Sequence, residues 1–130
     1  MRRCHQDEGT VAPLVAAYLA FIVLVILLSS NVVSAMAYSH RLQGVTDAAV
    51  VYGHDRSLAV GQPKLEALRS SIATFLQTAP SAKRLNLVVV NVSVSGERSE
   101  LELCAQLDYP LSLGSGVVCR RAVAQSFLLP

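Results

Sequence analysis

Residues 10–39 contain no charged side chain, and residues 11–28 are almost purely apolar. As a helix, that uncharged stretch would extend about 45 Å at 1.5 Å per residue, enough to cross a bilayer and project beyond it. Eleven large aliphatic or phenyl side chains fall between Leu14 and Leu28. At roughly −0.3 to −0.6 kcal/mol each they favour insertion by about 3–6 kcal/mol, with no charge in the segment to oppose them. A soluble helix of this length would carry a polar face, and none begins before Ser29. Whatever else the chain does, this segment predicts a bilayer.

About 90 residues follow the apolar segment, room for one small domain. The 52% hydrophobic content is inflated by the membrane segment, and a net charge of +2 is too slight to argue for nucleic acid. Arg2 and Arg3 precede the segment and Arg41 follows it. The positive-inside bias therefore predicts a cytoplasmic N-terminus, a single-pass cell-membrane protein and an extracytoplasmic C-terminal domain. The resulting division is a leader at 1–9, a transmembrane helix at 10–33, its extension at 34–53 and an exported domain at 54–130. The competing reading is a secretory signal, with Ala35-Met36-Ala37 as a small-x-small cleavage site and residues 1–37 removed.

Thr10 suits a helix N-cap, and Pro13 falls in the first turn, where its missing N–H costs nothing. Beyond the membrane, Leu42, Val45, Ala49 and Tyr52 share one helical face, and Gly53 is the expected C-cap. A second helix is marked by Pro63 at its start, by Leu65, Leu68, Ile72 and Phe75 or Leu76 at helical spacing, and by Pro80 at its end. That stripe reads as core rather than as a groove for a partner.

The remainder alternates with a period of two. Val88, Val90, Val92 and Val94 fall on one face of a strand, with Asn91, Ser93 and Ser95 opposite. Ser95-Gly96-Glu97-Arg98 is the turn. Leu101, Leu103, Ala105 and Leu107 then alternate with Glu100, Glu102, Cys104 and Gln106, and a third run covers residues 117–127. Gly114-Ser115-Gly116 reads as a connection. The predicted class is α+β: a long transmembrane helix entering a small exported domain with a second helix and about three antiparallel strands.

A hairpin centred between Leu111 and Ser112 sets Cys104 opposite Cys119, Glu102 opposite Arg121 and Leu101 opposite Ala122. Opposed unlike charges support this register, and opposed cysteines on adjacent strands lie within disulfide reach. A Cys104–Cys119 bond is the expectation, two free thiols the alternative.

Catalytic and ligand-binding signatures are missing from the sequence. His5, His40 and His54 lack metal-ligand spacing, there is no Gly-rich phosphate loop, and the carboxylates form no convincing pair. His54-Asp55 next to Ser57 invites a triad reading, but neighbours along a chain do not converge by proximity alone. Asn91-Val92-Ser93 fits a glycosylation sequon inside a predicted strand. The expectation is a non-enzyme with no catalytic residues, no cofactor, no metal, no small-molecule substrate and no nucleic-acid partner.

Gly9-Thr10-Val11-Ala12-Pro13-Leu14, the apolar run and Arg41-Leu42-Gln43-Gly44-Val45-Thr46-Asp47-Ala48-Ala49 together resemble the N-terminal segment of TadE/TadG-like proteins. These are minor pilin or pseudopilin components of tight-adherence (Flp) pilus assembly systems, and the Pro near the start resembles the actinobacterial type. The resemblance implies membrane anchoring, a divergent exported α+β domain, and partners among the bilayer, other pilin-like subunits and pilus-assembly membrane proteins. It also implies leader processing between Gly9 and Thr10, and assembly contacts through Arg41, Leu42, Gln43 and Asp47. Two departures stand out. Leu14 occupies the position where peptidase-processed pilins carry Glu, and the chain has no room for the adhesion-type domain of larger TadG-like members. Ala16, Ala17 and Ala20 would let another helix approach closely, or simply face lipid.

Overall fold

In a computed structural model the described residues are 11–59, 62–109 and 114–126. The expected processing site at Gly9 and Thr10 lies outside them. One helix, α1, runs unbroken from Val11 to Ser57, 47 residues or about 70 Å. Its two halves live in different surroundings. Leu14, Tyr18, Phe21, Ile26 and Val33 are exposed, whereas Leu42, Val45, Thr46, Ala49, Val50, Gly53, His54 and Ser57 are buried. Nothing in the backbone marks the boundary, because Ser29 and Asn31 donate to the carbonyls of Val25 and Leu27 and leave the ladder intact.

The buried half of α1 lies against α2 (Leu65–Thr78) and a three-stranded antiparallel sheet of β3 (Asn86–Ser95), β4 (Arg98–Asp108) and β5 (Ser115–Gln125) in that order. A two-residue pair, β1 (Leu58–Ala59) and β2 (Gln62–Pro63), links α1 to α2, and the short α3 (Pro80–Lys83) links α2 to the sheet. Central β4 supplies Leu101, Leu103, Ala105 and Leu107 to the core, each 0–7% exposed. Leu42, Ala49, Val50, Leu68 and Ile72 meet them from the helical side. The period-two and period-3.6 patterns thus converge on one interior, and the α+β class with its long helix and three strands is as expected.

Four local expectations change. The helix continues one turn past Gly53, which serves for close packing instead of as a cap. A Cβ placed there would lie 2.6 Å from Ile72 Cγ1 and 2.9 Å from Leu68 Cδ1. Gly53→Ala is therefore expected to destabilise the domain by about 1–3 kcal/mol through overpacking. A lower denaturant midpoint at unchanged slope is the check. Pro63 does not open α2; it pairs with Leu58 in the β1–β2 ladder, and Lys64 is the N-cap. Pro80, by contrast, both ends α2 and opens α3. Between Leu87 and Val89 the β3–β4 register slips by one residue, so Leu87 takes the inward place expected of Val88. Finally, Ser115 and Gly116 belong to β5, and Gly114, at φ 122°, lies just outside it.

Candidate functional site

The β4–β5 ladder places Cys104 opposite Cys119, Glu102 opposite Arg121 and Leu101 opposite Ala122, the register read from the sequence. Cys104 and Cys119 are joined as a disulfide with Cα atoms 4.0 Å apart. The bond lies on the face of the sheet turned away from α1 and covers Cys104, leaving it 6% exposed. The charge pair is diagonal rather than direct. Arg121 bonds the carboxylate of Glu100, with Glu102 as its facing neighbour. The Arg121 hydrogen bond holds the Glu100 carboxyl below its ordinary range, and Glu100 in turn raises Arg121. Both groups are open to solvent, so this pair adds register more than stability.

At the far end of α1 the buried His54 ring lies between two hydroxyls. Nδ1 is 2.8 Å from Ser99 Oγ, at the start of β4, and Nε2 is 2.7 Å from Ser126 Oγ, just past β5. One nitrogen donates and the other accepts in the neutral ring. The ring thereby ties the helix end to two strands. Ser57, the neighbour that sequence proximity suggested, instead donates to the His54 carbonyl, and Asp55 is exposed. Sequence reasoning missed both Ser99 and Ser126, because they reach the ring from 45 and 72 positions away.

The other polar constellation sits where α1 leaves its exposed half. Tyr38 Oη donates to the Gln106 carbonyl at 2.9 Å and accepts from the Asn86 amide at 3.4 Å. One phenol thus binds the helix to β3 and β4. Ser39 accepts from Arg120 of β5 on another side of the helix. Tyr38, Arg41 and Val45 follow one face of α1, and together with Pro80, Ser81, Arg84 and Leu85 they line a cavity of about 630 Å³.

The four expected assembly-contact residues separate by role. Leu42 is fully buried, its side chain committed to the core. Arg41 borders the cavity. Gln43 Nε2 donates to Asp47 Oδ1 at 2.8 Å, one turn apart on the surface of the helix. Arg41, Gln43 and Asp47 are thus the members that another molecule could reach. Arg84 and Tyr38 carried no local signal of their own; only the packing of α3 beside α1 joins them to Arg41.

The exposed half of α1 is long and apolar enough to cross a membrane, and none of its most hydrophobic stretch is buried within the fold. It has the composition of a membrane anchor or a signal sequence. No protein-family model, no characterised protein and no solved structure matches this chain.

Proposed function

We propose that the protein is a non-enzymatic, single-pass, minor pilin-like component of a tight-adherence pilus or related secretion apparatus. The observation that carries this reading is the continuity of α1. One unbroken helix is bare along its apolar half and forms the core of the domain along the other. A subunit built this way rests in the bilayer through residues 10–33 and keeps a fixed domain above it. The bare apolar surface can be exchanged between lipid and neighbouring helices without unfolding anything. The resemblance through Gly9, Pro13 and residues 41–49 supplies the assignment to TadE/TadG-like components.

In this role Arg2 and Arg3 hold the N-terminus in the cytoplasm. The Cys104–Cys119 bond belongs to an oxidising, extracytoplasmic compartment, where disulfides persist. Gln43 and Asp47 face other subunits or assembly proteins from the extension just above the bilayer, with Arg41 at the cavity beside them.

One observation favours a second reading. Tyr38, the residue after Ala35-Met36-Ala37, makes two of the hydrogen bonds that fasten α1 to the sheet. Cleavage after Ala37 would therefore leave the domain's core whole and release a binding module unrelated to pili.

Intact mass of the protein from its native membrane fraction separates the two. The anchored reading expects a species beginning at Met1 or at Thr10, the latter showing that a leader peptidase accepts Leu14. A species beginning at Tyr38 removes the helix and with it the pilus assignment. For the anchored species, photo-crosslinking from position 43 or 47 is expected to capture another pilin-like subunit. Failure to capture one in assembled cells would leave an anchored protein without the pilus role.

A further inference from the structure

We propose that the cavity bounded by Tyr38, Arg41 and Arg84 is a seat for the phosphate headgroup of an anionic phospholipid in the leaflet beneath the domain. This inference rests on the membrane-spanning reading of α1.

Height above the bilayer is the first argument. With the hydrocarbon span ending near residue 33, Tyr38 lies about 7–8 Å and Arg41 about 12 Å further along the helix. The headgroup layer is about 5–8 Å deep on each side of the hydrocarbon. Helical side chains slant toward the N-terminal end, here toward the membrane. The Arg41 side chain can therefore bring its guanidinium down to the phosphates while its stem stays on the domain, and the Tyr38 ring occupies the depth favoured by interfacial aromatics.

The second argument is charge. Two arginines come from separate elements, Arg41 from α1 and Arg84 from the end of α3, and both line one cavity of about 630 Å³. Among the described residues no carboxylate lines that cavity, and neither arginine makes an ion pair or a side-chain hydrogen bond. Paired planar donors of this kind match phosphate oxygens. The third argument is shape. Val45, Pro80 and Leu85 make the remaining wall largely apolar, which suits the glycerol and upper acyl region of a lipid better than a hydrated inorganic ion.

The test uses the full-length protein in nanodiscs of phosphatidylcholine containing a minor fraction of spin-labelled phosphatidylglycerol or spin-labelled phosphatidylcholine. The expected result is a motionally restricted phosphatidylglycerol population, favoured over phosphatidylcholine by on the order of tenfold. Arg41→Gln and Arg84→Gln are each expected to reduce that preference about fivefold, whereas Arg120→Gln, in a different groove, leaves it in place. An equal loss with Arg120→Gln would mean diffuse surface charge and overturn the seat. Binding of inorganic phosphate to the protein in neutral nanodiscs, lost in Arg41→Gln, would mean a free-anion site and overturn the lipid assignment. Absence of any preference in a protein that resists carbonate extraction overturns the seat alone. Release by carbonate would overturn the anchor reading, and the seat would fall with it.

Discussion

Replacing Cys104 and Cys119 together with alanine is expected to lower the stability of the domain by about 3 kcal/mol. The bond closes a loop with a sequence separation of 15, and in the chain-entropy account that constraint acts on the unfolded chain. For a domain of about 90 residues, this corresponds to a fall in melting temperature of roughly 12–24 °C. Tyrosine fluorescence is the suitable probe: the protein has no tryptophan, and far-ultraviolet dichroism would be dominated by the long helix α1. The ladder itself should survive, because Leu101, Leu103 and Ala105 remain to pack beneath it. A thiol count on the unreduced full-length protein is expected to find one reactive thiol, that of Cys4 ahead of the apolar segment. Three reactive thiols, with unchanged melting in the double variant, would show the bond to be absent.

The second large effect is expected at Leu42. Leu42→Ala removes a fully buried side chain from the line where α1 meets the rest of the domain, and such truncations cost about 2–5 kcal/mol. The spread reflects how far the walls can close on the cavity, and the hydrogen-bonded Tyr38 anchor one turn earlier limits that closure. Val51→Ala, on the exposed side of the same helix, should change stability by no more than about 0.5 kcal/mol. Chemical denaturation of both variants in detergent measures the difference. The same pair bears on the assembly role. Stability lost at Leu42 with subunit cross-linking from Asp47 intact would place Leu42 wholly in folding, whereas unchanged stability with lost cross-linking would return it to the contact surface.

Much of this architecture was legible in the sequence because its causes are local. An uninterrupted apolar run has few soluble alternatives, so the bare half of α1 could be read directly. The spacing of Leu65, Leu68, Ile72 and Phe75 located α2, and the alternation from Leu101 to Leu107 assigned the inner face of β4. The β4–β5 register was legible for a related reason: three independent pairings, one covalent, one charged and one apolar, agree on a single hairpin centre.

Other features depended on what lies opposite in space. Gly53 looks like a helix stop until Ile72 and Leu68 of α2 are set against it, after which it is a close-packing position within a longer helix. Pro63 has a sound rationale as a first helical residue, yet the short ladder with Leu58 claims it. Val88 obeys the alternation, but a bulge in β3 hands its inward place to Leu87. The Ser99–His54–Ser126 tie and the Arg41–Arg84 cavity draw residues from separate elements. Periodicity fixes which way a residue faces relative to its chain neighbours, so the sequence by itself determined the long apolar helix, the α2 stripe, the inner face of β4 and the register that sets Cys104 opposite Cys119. It carries no coordinate for the distance between one element and the next. Only tertiary packing, by bringing those faces within a few ångströms, decided where α1 ends, which valine yields its place, and which polar groups meet.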